Sequence, residues 1–85
     1  MKIDYHKDFI KSFKKLPSNI KKKFQERQLL FEKDAFNPIL NNHGLNGRYQ
    51  GYRSINISGD IRAIYIKSSE SIVFVKIGSH NKLYG

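Results

Sequence analysis

The chain has no cysteine and no tryptophan, only two prolines, and fewer than half as many acidic side chains as basic ones. Without cysteine there can be no disulfide staple and no thiolate metal site. The absence also fits a reducing compartment, so the expected location is the cytoplasm. No apolar run approaches the ~20 residues of a membrane span. Lys2 and Lys7 are not followed by the apolar stretch of a secretory signal. The expectation is one small soluble domain with no membrane partner. Nucleotide-binding glycine loops, HExxH, paired CxxC and GxSxG are all missing, and two distant histidines are too few to hold a metal, so no metal or cofactor is expected.

The scarcity of acids has the largest consequence. Sixteen Lys and Arg against seven Asp and Glu leave a net charge of +9 on 85 residues. Residues 1–34 carry ten basic and five acidic side chains, and residues 35–85 carry six and two, so the surplus is not a detachable tail. A compact fold with this excess attracts polyanions, either nucleic acid or an acidic protein. The plainer reading is a solubilising surface.

Lys2-Ile3-Asp4-Tyr5 alternates and reads as a strand. Phe9, Ile10, Phe13 and Leu16 recur at helical spacing up to Pro17, which ends the helix. Ser18 can cap a second helix, with Ile20, Phe24 and Phe31 on one face and Leu30 beside them. Asp34 to Asn42, with Pro38 and three asparagines, reads as a loop. Thereafter the period is two: Arg53–Ile57 a strand, Ser58-Gly59-Asp60 a turn, Ile61–Ile66 its return, Lys67–Ser71 a second turn, and Ile72–Ile77 the last strand. Leu45–Tyr52 either begins the first of these strands or stays a loop. Helices before strands indicate an α+β fold, a strand and a helical hairpin packed on one face of an antiparallel sheet. The expectation drawn from alternation is that Ile55, Ile57, Ile64, Ile66, Val73, Val75 and Ile77 point at the helices. Asn56, Arg62, Phe74 and Lys76 then share the open face, in a register that a one-residue slip would invert.

The residues with chemical potential lie in the second half. RNA is cut without a cofactor when a base deprotonates the 2′-hydroxyl, an acid protonates the leaving 5′-oxygen and cations stabilise the phosphate. His80, in Gly78-Ser79-His80, reads as a general acid or phosphate contact, or as a surface histidine of a turn. His43, before Gly44, reads as a general base or as a loop histidine; His6 is given no role. Arg62 reads as a phosphate fork or as a cross-strand partner of Asp60 or Glu70, and Lys76 as a weaker version of the same. Arg53 points away from Asn56 and reads as structural. Tyr84 reads as a ring that stacks on a base, having little chain beyond it to pack into, whereas Tyr49 and Tyr52 read as half-buried packing. Lys21-Lys22-Lys23, with Lys14 and Lys15, forms a basic helical face that is either solvated surface or a grip on an RNA backbone.

The runs His43-Gly44-Leu45-Asn46-Gly47, Gly51-Tyr52-Arg53-Ser54, Gly59-Asp60-Ile61-Arg62-Ala63-Ile64-Tyr65 and Ile77-Gly78-Ser79-His80-Asn81-Lys82-Leu83-Tyr84 together resemble the RelE/ParE superfamily of bacterial toxins, most of all its YafQ branch. Phe13-Lys14-Lys15-Leu16-Pro17 fits the same family, so the resemblance spans nearly the whole chain. It implies a ribosome-dependent mRNA endonuclease held inactive by a cognate acidic antitoxin, with the ribosome and mRNA as its other partners. Carried over by position, His43 matches a catalytic histidine or carboxylate, Asp60 an important acidic residue, Arg62 a phosphate-binding arginine, His80 the principal acid, and Tyr84 a C-terminal aromatic that orients the mRNA. The branch can carry a histidine where this chain has Asn56, and asparagine exchanges no proton near neutral pH. Either His43 and His80 suffice, with Asn56 only hydrogen-bonding to RNA, or the enzyme is slower than its relatives. The superfamily also holds gyrase poisons that do not cut RNA. A gyrase inhibitor or a catalytically inactive RNA-binding module is therefore the alternative, against which the paired His43 and His80 argue.

Overall fold

The computed structural model describes residues 2–84. Lys2–Tyr5 forms strand β1, followed by helices α1 (Lys7–Lys14) and α2 (Ser18–Lys33). His6 opens α1, its Nδ1 accepting the Asp8 backbone N–H at 3.1 Å, which satisfies one of the free donors of the first turn. Pro17, and not Ser18, takes the capping position of α2; Ser18 is already helical, and no side chain caps the helix. The proline ring holds φ at −59°, a value suited to entering a helix, so the start falls one residue earlier than the hydroxyl suggests.

After short 3-10 turns at Pro38–Leu40 and Gly47–Tyr49, which flank a two-residue strand β2 (His43–Gly44), come β3 (Arg53–Ser58), β4 (Ile61–Lys67), β5 (Ser71–Ser79) and a last helix α3 (His80–Tyr84). The sheet order is β1-β5-β4-β3-β2. β1 runs parallel to β5 and every other pair is antiparallel. The α+β architecture with both long helices on one face is as the sequence indicates. No helix among the described residues is long and apolar enough to cross a membrane.

Phe9, Phe24 and Phe31 from the helices close on Ile55, Ile57, Ala63, Tyr65, Ile72, Phe74 and Ile77 from the sheet. Phe74 is fully buried and lies within 6.0 Å of the ring centroids of Tyr5, Phe9, Phe24, Phe31 and Tyr65. This corrects the expectation that Phe74 lies on the open face and Ile64, Ile66, Val73 and Val75 against the helices: Ile64 and Ile66 follow Arg62 at even spacing on one strand and so share its face, whereas in β5 the cause is a change of register. Ile64 pairs with Lys76 but the next residue, Tyr65, pairs with Phe74, leaving Val75 as an extra residue. Such a bulge resets which side of the sheet each side chain faces. Phe74 and Ile77 therefore both reach the core despite their odd spacing. Ile64 is also fully buried, but outside this cluster.

At the edge of the core the Tyr5 hydroxyl donates to Gln28 Oε1. Burial raises its proton affinity above the ordinary phenol value, and the charge of Glu32 raises it further. Tyr5 therefore stays a donor at neutral pH. Asn56, Arg62 and Gly78 form one cross-strand row, and adjacent residues of a strand point to opposite faces. Arg62 thus faces away from Ala63 and the helices.

Candidate active site

His43 is positioned by β2 and by the turn before it. Its Nδ1 lies 2.8 Å from the Asn41 carbonyl oxygen. A carbonyl only accepts, so Nδ1 carries the proton and, in the neutral ring, Nε2 holds the lone pair. Asn41 presents that carbonyl from the left-handed region, φ 45°, which asparagine tolerates better than most residues.

The next residue, Asn42, anchors the turn to the sheet. Its Oδ1 accepts from Arg53 Nε at 2.8 Å and from the Tyr65 hydroxyl at 3.1 Å, and its Nδ2 donates to the Ala35 carbonyl at 2.8 Å. Arg53 is held in addition over the Phe36 ring, 5.3 Å from its centroid. Asn42→Ala would strip partners from half-buried groups of three segments at once. It should cost about 1–3 kcal/mol, read as a lower urea midpoint at unchanged slope. A midpoint equal to that of the wild type would remove Asn42 as the anchor of His43.

His80 begins α3, and its backbone N–H donates to the Asp60 carbonyl at 3.0 Å. The Gly59-Asp60 turn, made possible by φ +53° at Gly59, therefore holds the start of the helix. Asp60 contributes this carbonyl; its exposed carboxylate does not line the cleft described below. Tyr84 stands one turn beyond His80, with ring centroids 4.8 Å apart. It also meets Tyr49 edge-on at 5.7 Å. This corrects the expectation that Tyr84 has little to pack into. Arg48 and the Tyr49 hydroxyl converge on the Leu83 carbonyl at 3.0 and 3.2 Å, tying the end of α3 to the Gly47–Tyr49 turn. Arg62 donates through one terminal nitrogen to the Gly59 carbonyl at 3.1 Å; among the described residues it makes no ion pair with Asp60 or Glu70.

These constraints bring His43, Arg62, His80 and Tyr84 around one open cleft of ≈ 260 Å³, with Leu45 and Asn46 completing its wall. Leu45 and Asn46 carry no chemical signal in the sequence beyond lying next to His43. Other candidates lie elsewhere. Lys76 is 3.7 Å from Asp8 and lines an adjoining groove. Its long side chain leans towards the start of α1 although its strand position faces the same way as Arg62. Asn56 is half-buried beside Arg62, and its Oδ1 is buried without a hydrogen-bond partner, as is Ser54 Oγ. Lys21, Lys22 and Lys23 belong to α2, in the layer behind the sheet, and Lys23 lies 3.7 Å from Glu26. A groove of ≈ 310 Å³ beside Phe36 and Arg53 contains neither imidazole. Among the described residues no three His, Cys, Asp or Glu side chains cluster closely enough to hold a metal ion.

The whole chain, residues 1–85, matches the family model described as a bacterial toxin of type II toxin-antitoxin system, YafQ. Among solved structures, YafQ from E. coli superposes with a TM-score of 0.84 at 22% identity, over 98% of this chain and 97% of that one. The structure of the E. coli DinJ-YafQ complex gives 0.71 at 23% identity, over 98% and 97%. A YoeB/ParE toxin from Agrobacterium tumefaciens gives 0.77 at 16% identity, over 94% and 99%. At these identities the structures share the fold. No curated protein matches significantly. A family match that leaves no part of the sequence unaccounted for, on a fold common to these toxins, makes the chain a member of the YafQ family of type II toxin-antitoxin toxins.

Proposed function

We propose that this chain is the toxin of a type II pair and acts as an endoribonuclease that cuts mRNA on the ribosome. The observation that carries the reading is the single cleft shared by His43, Arg62, His80 and Tyr84. His43 Nε2 takes the proton of the ribose 2′-hydroxyl, and the freed oxygen attacks the adjacent phosphorus. As the bond from phosphorus to the 5′-oxygen breaks, His80, entering as imidazolium, gives that oxygen its proton. The products are a 2′,3′-cyclic phosphate and a 5′-hydroxyl, and the two imidazoles have exchanged protonation states. RNA supplies its own nucleophile, so the step needs no added cofactor. Arg62 spends one of its five N–H donors on Gly59, leaving others for the charge that grows on the phosphate. Tyr84 stacks on a base. Asp60 serves through the carbonyl that seats His80, and Asn56 offers a buried acceptor beside Arg62. Lys21, Lys22 and Lys23 would meet ribosomal RNA on the opposite layer.

The inhibitor is an acidic antitoxin, for which the charge of +9 is the complement; YafQ of E. coli is found in complex with DinJ. Primer extension on mRNA after induction tests the reading. New 5′-ends should appear within translated frames for the wild type and vanish for His80→Ala, together with the growth arrest. Arrest with intact messages and loss of gyrase supercoiling would replace the nuclease with a gyrase inhibitor.

A further inference from the structure

Tyr49, which meets Tyr84 at 90°, is a wall of two further grooves that also share Arg48 and Lys76. One, of ≈ 250 Å³, extends to Tyr52 and Asp8; the other, of ≈ 330 Å³, extends to Ser12 and Lys82. Three cations and two tyrosines thus line a pair of overlapping grooves that meet the cleft at the contact of Tyr49 with Tyr84, against one carboxylate, Asp8.

We propose that this surface is a second binding site, a track for the single-stranded RNA that flanks the scissile linkage; the inference rests on the nuclease reading. Lys76, Lys82 and Arg48 take phosphates, and the half-buried Tyr52 gives a face for a base. Alternating cations and aromatic rings suit a single strand, whose phosphates and π-faces are both exposed. Lys76 is available to it: its pair with Asp8 is 3.7 Å long, with both side chains about half exposed, and a pair of that kind exchanges readily for another anion. Arg48 spends one donor on Leu83 and keeps the rest. Asp8 is then a competitor of the RNA for Lys76.

The test is fluorescence anisotropy with labelled, 2′-O-methylated and hence uncleavable oligonucleotides, a trinucleotide and a nonanucleotide, over a series of salt concentrations. The wild type should bind the longer strand at least about tenfold more tightly. Lys76→Gln with Lys82→Gln should abolish most of that advantage and reduce the salt slope for the longer strand by about 1.4, near 0.7 for each lost contact. Asp8→Asn should change affinity in the opposite direction, tightening the longer strand about two- to fivefold. Equal affinity for both lengths, or a slope unchanged in the double variant, overturns the track. So does a double variant that binds RNA normally but loses an acidic antitoxin, since the grooves would then be a protein interface. His80→Ala separates the two readings: it should leave length-dependent binding intact while blocking cleavage. Failure of the track and failure of the nuclease therefore show in different measurements.

Discussion

Protein carrying His80→Ala should cleave ribosome-bound mRNA about 10²–10⁴-fold more slowly than the wild type in single turnover. His43→Ala should fall in the same range, and the double variant well short of the product of the two losses, because acid and base serve one transition state. Rates alone do not assign the roles; a changed leaving group does. A substrate with sulfur in place of the bridging 5′-oxygen expels a thiolate, which departs without a proton because a thiol is far more acidic than an alcohol. On that substrate His80→Ala should recover most of its activity, and His43→Ala should recover little. Equal recovery of both variants would end the division of labour proposed from the His43 Nδ1 bond to Asn41. A single-variant loss smaller than about tenfold would remove that residue from the chemistry altogether.

The second large effect concerns the core. Phe74→Ala should destabilise the protein by about 3–5 kcal/mol, a substantial share of the 5–15 kcal/mol typical of a folded domain. Phe74 is the ring on which α1, α2, β1 and β4 all converge. Its removal leaves a cavity that no single neighbour can fill. Urea unfolding measures the loss directly, and Phe74→Leu, which keeps much of the volume, should lose less. The result also tests the bulge. A Phe74 on the open face, as strict alternation places it, would be a surface residue whose replacement changes stability by no more than about 0.5 kcal/mol.

That bulge marks where the sequence stops being readable. The β1 alternation, the Phe9–Phe13 and Phe24–Phe31 spacings and the Gly59-Asp60 turn are local signals, and each element lies where its residues indicate. The facing of β4 is local: Arg62 marks the open face, and the period of two groups Ile64 and Ile66 with it and Ala63 with Tyr65 opposite, so those isoleucines are misplaced by their bulk and not by a missing signal. The facing of β5 is not local. The shift opposite Val75 emerges only when two strands and a helical layer pack together. β2 is too short for a period, and α3 is one turn of helix whose start depends on a carbonyl from a distant hairpin.

The site divides along the same line. His43, Arg62, His80 and Tyr84 are visible as residue types, but composition does not say that they meet; the resemblance to a toxin family supplies that expectation. Asp60 carries a visible carboxylate, yet the structure employs its backbone. Lys76 lies outside the cleft, beside Asp8 of α1. Asn42, silent in the sequence as one of several loop asparagines, holds the whole approach to His43.

The position of β5 has a consequence for the cell that makes the protein. β1 has no neighbour in the sheet until Ser71–Ser79 has been polymerised, because that segment slots between β1 and β4. A nascent chain grows by only ~5–20 residues per second, and for most of that interval it possesses neither a closed hydrophobic centre nor His80. Closure of the fold thus waits on its latest strand: a product terminated ahead of β5 lacks Phe74, the ring shared by both long helices, β1 and β4, and has no route to the packed core.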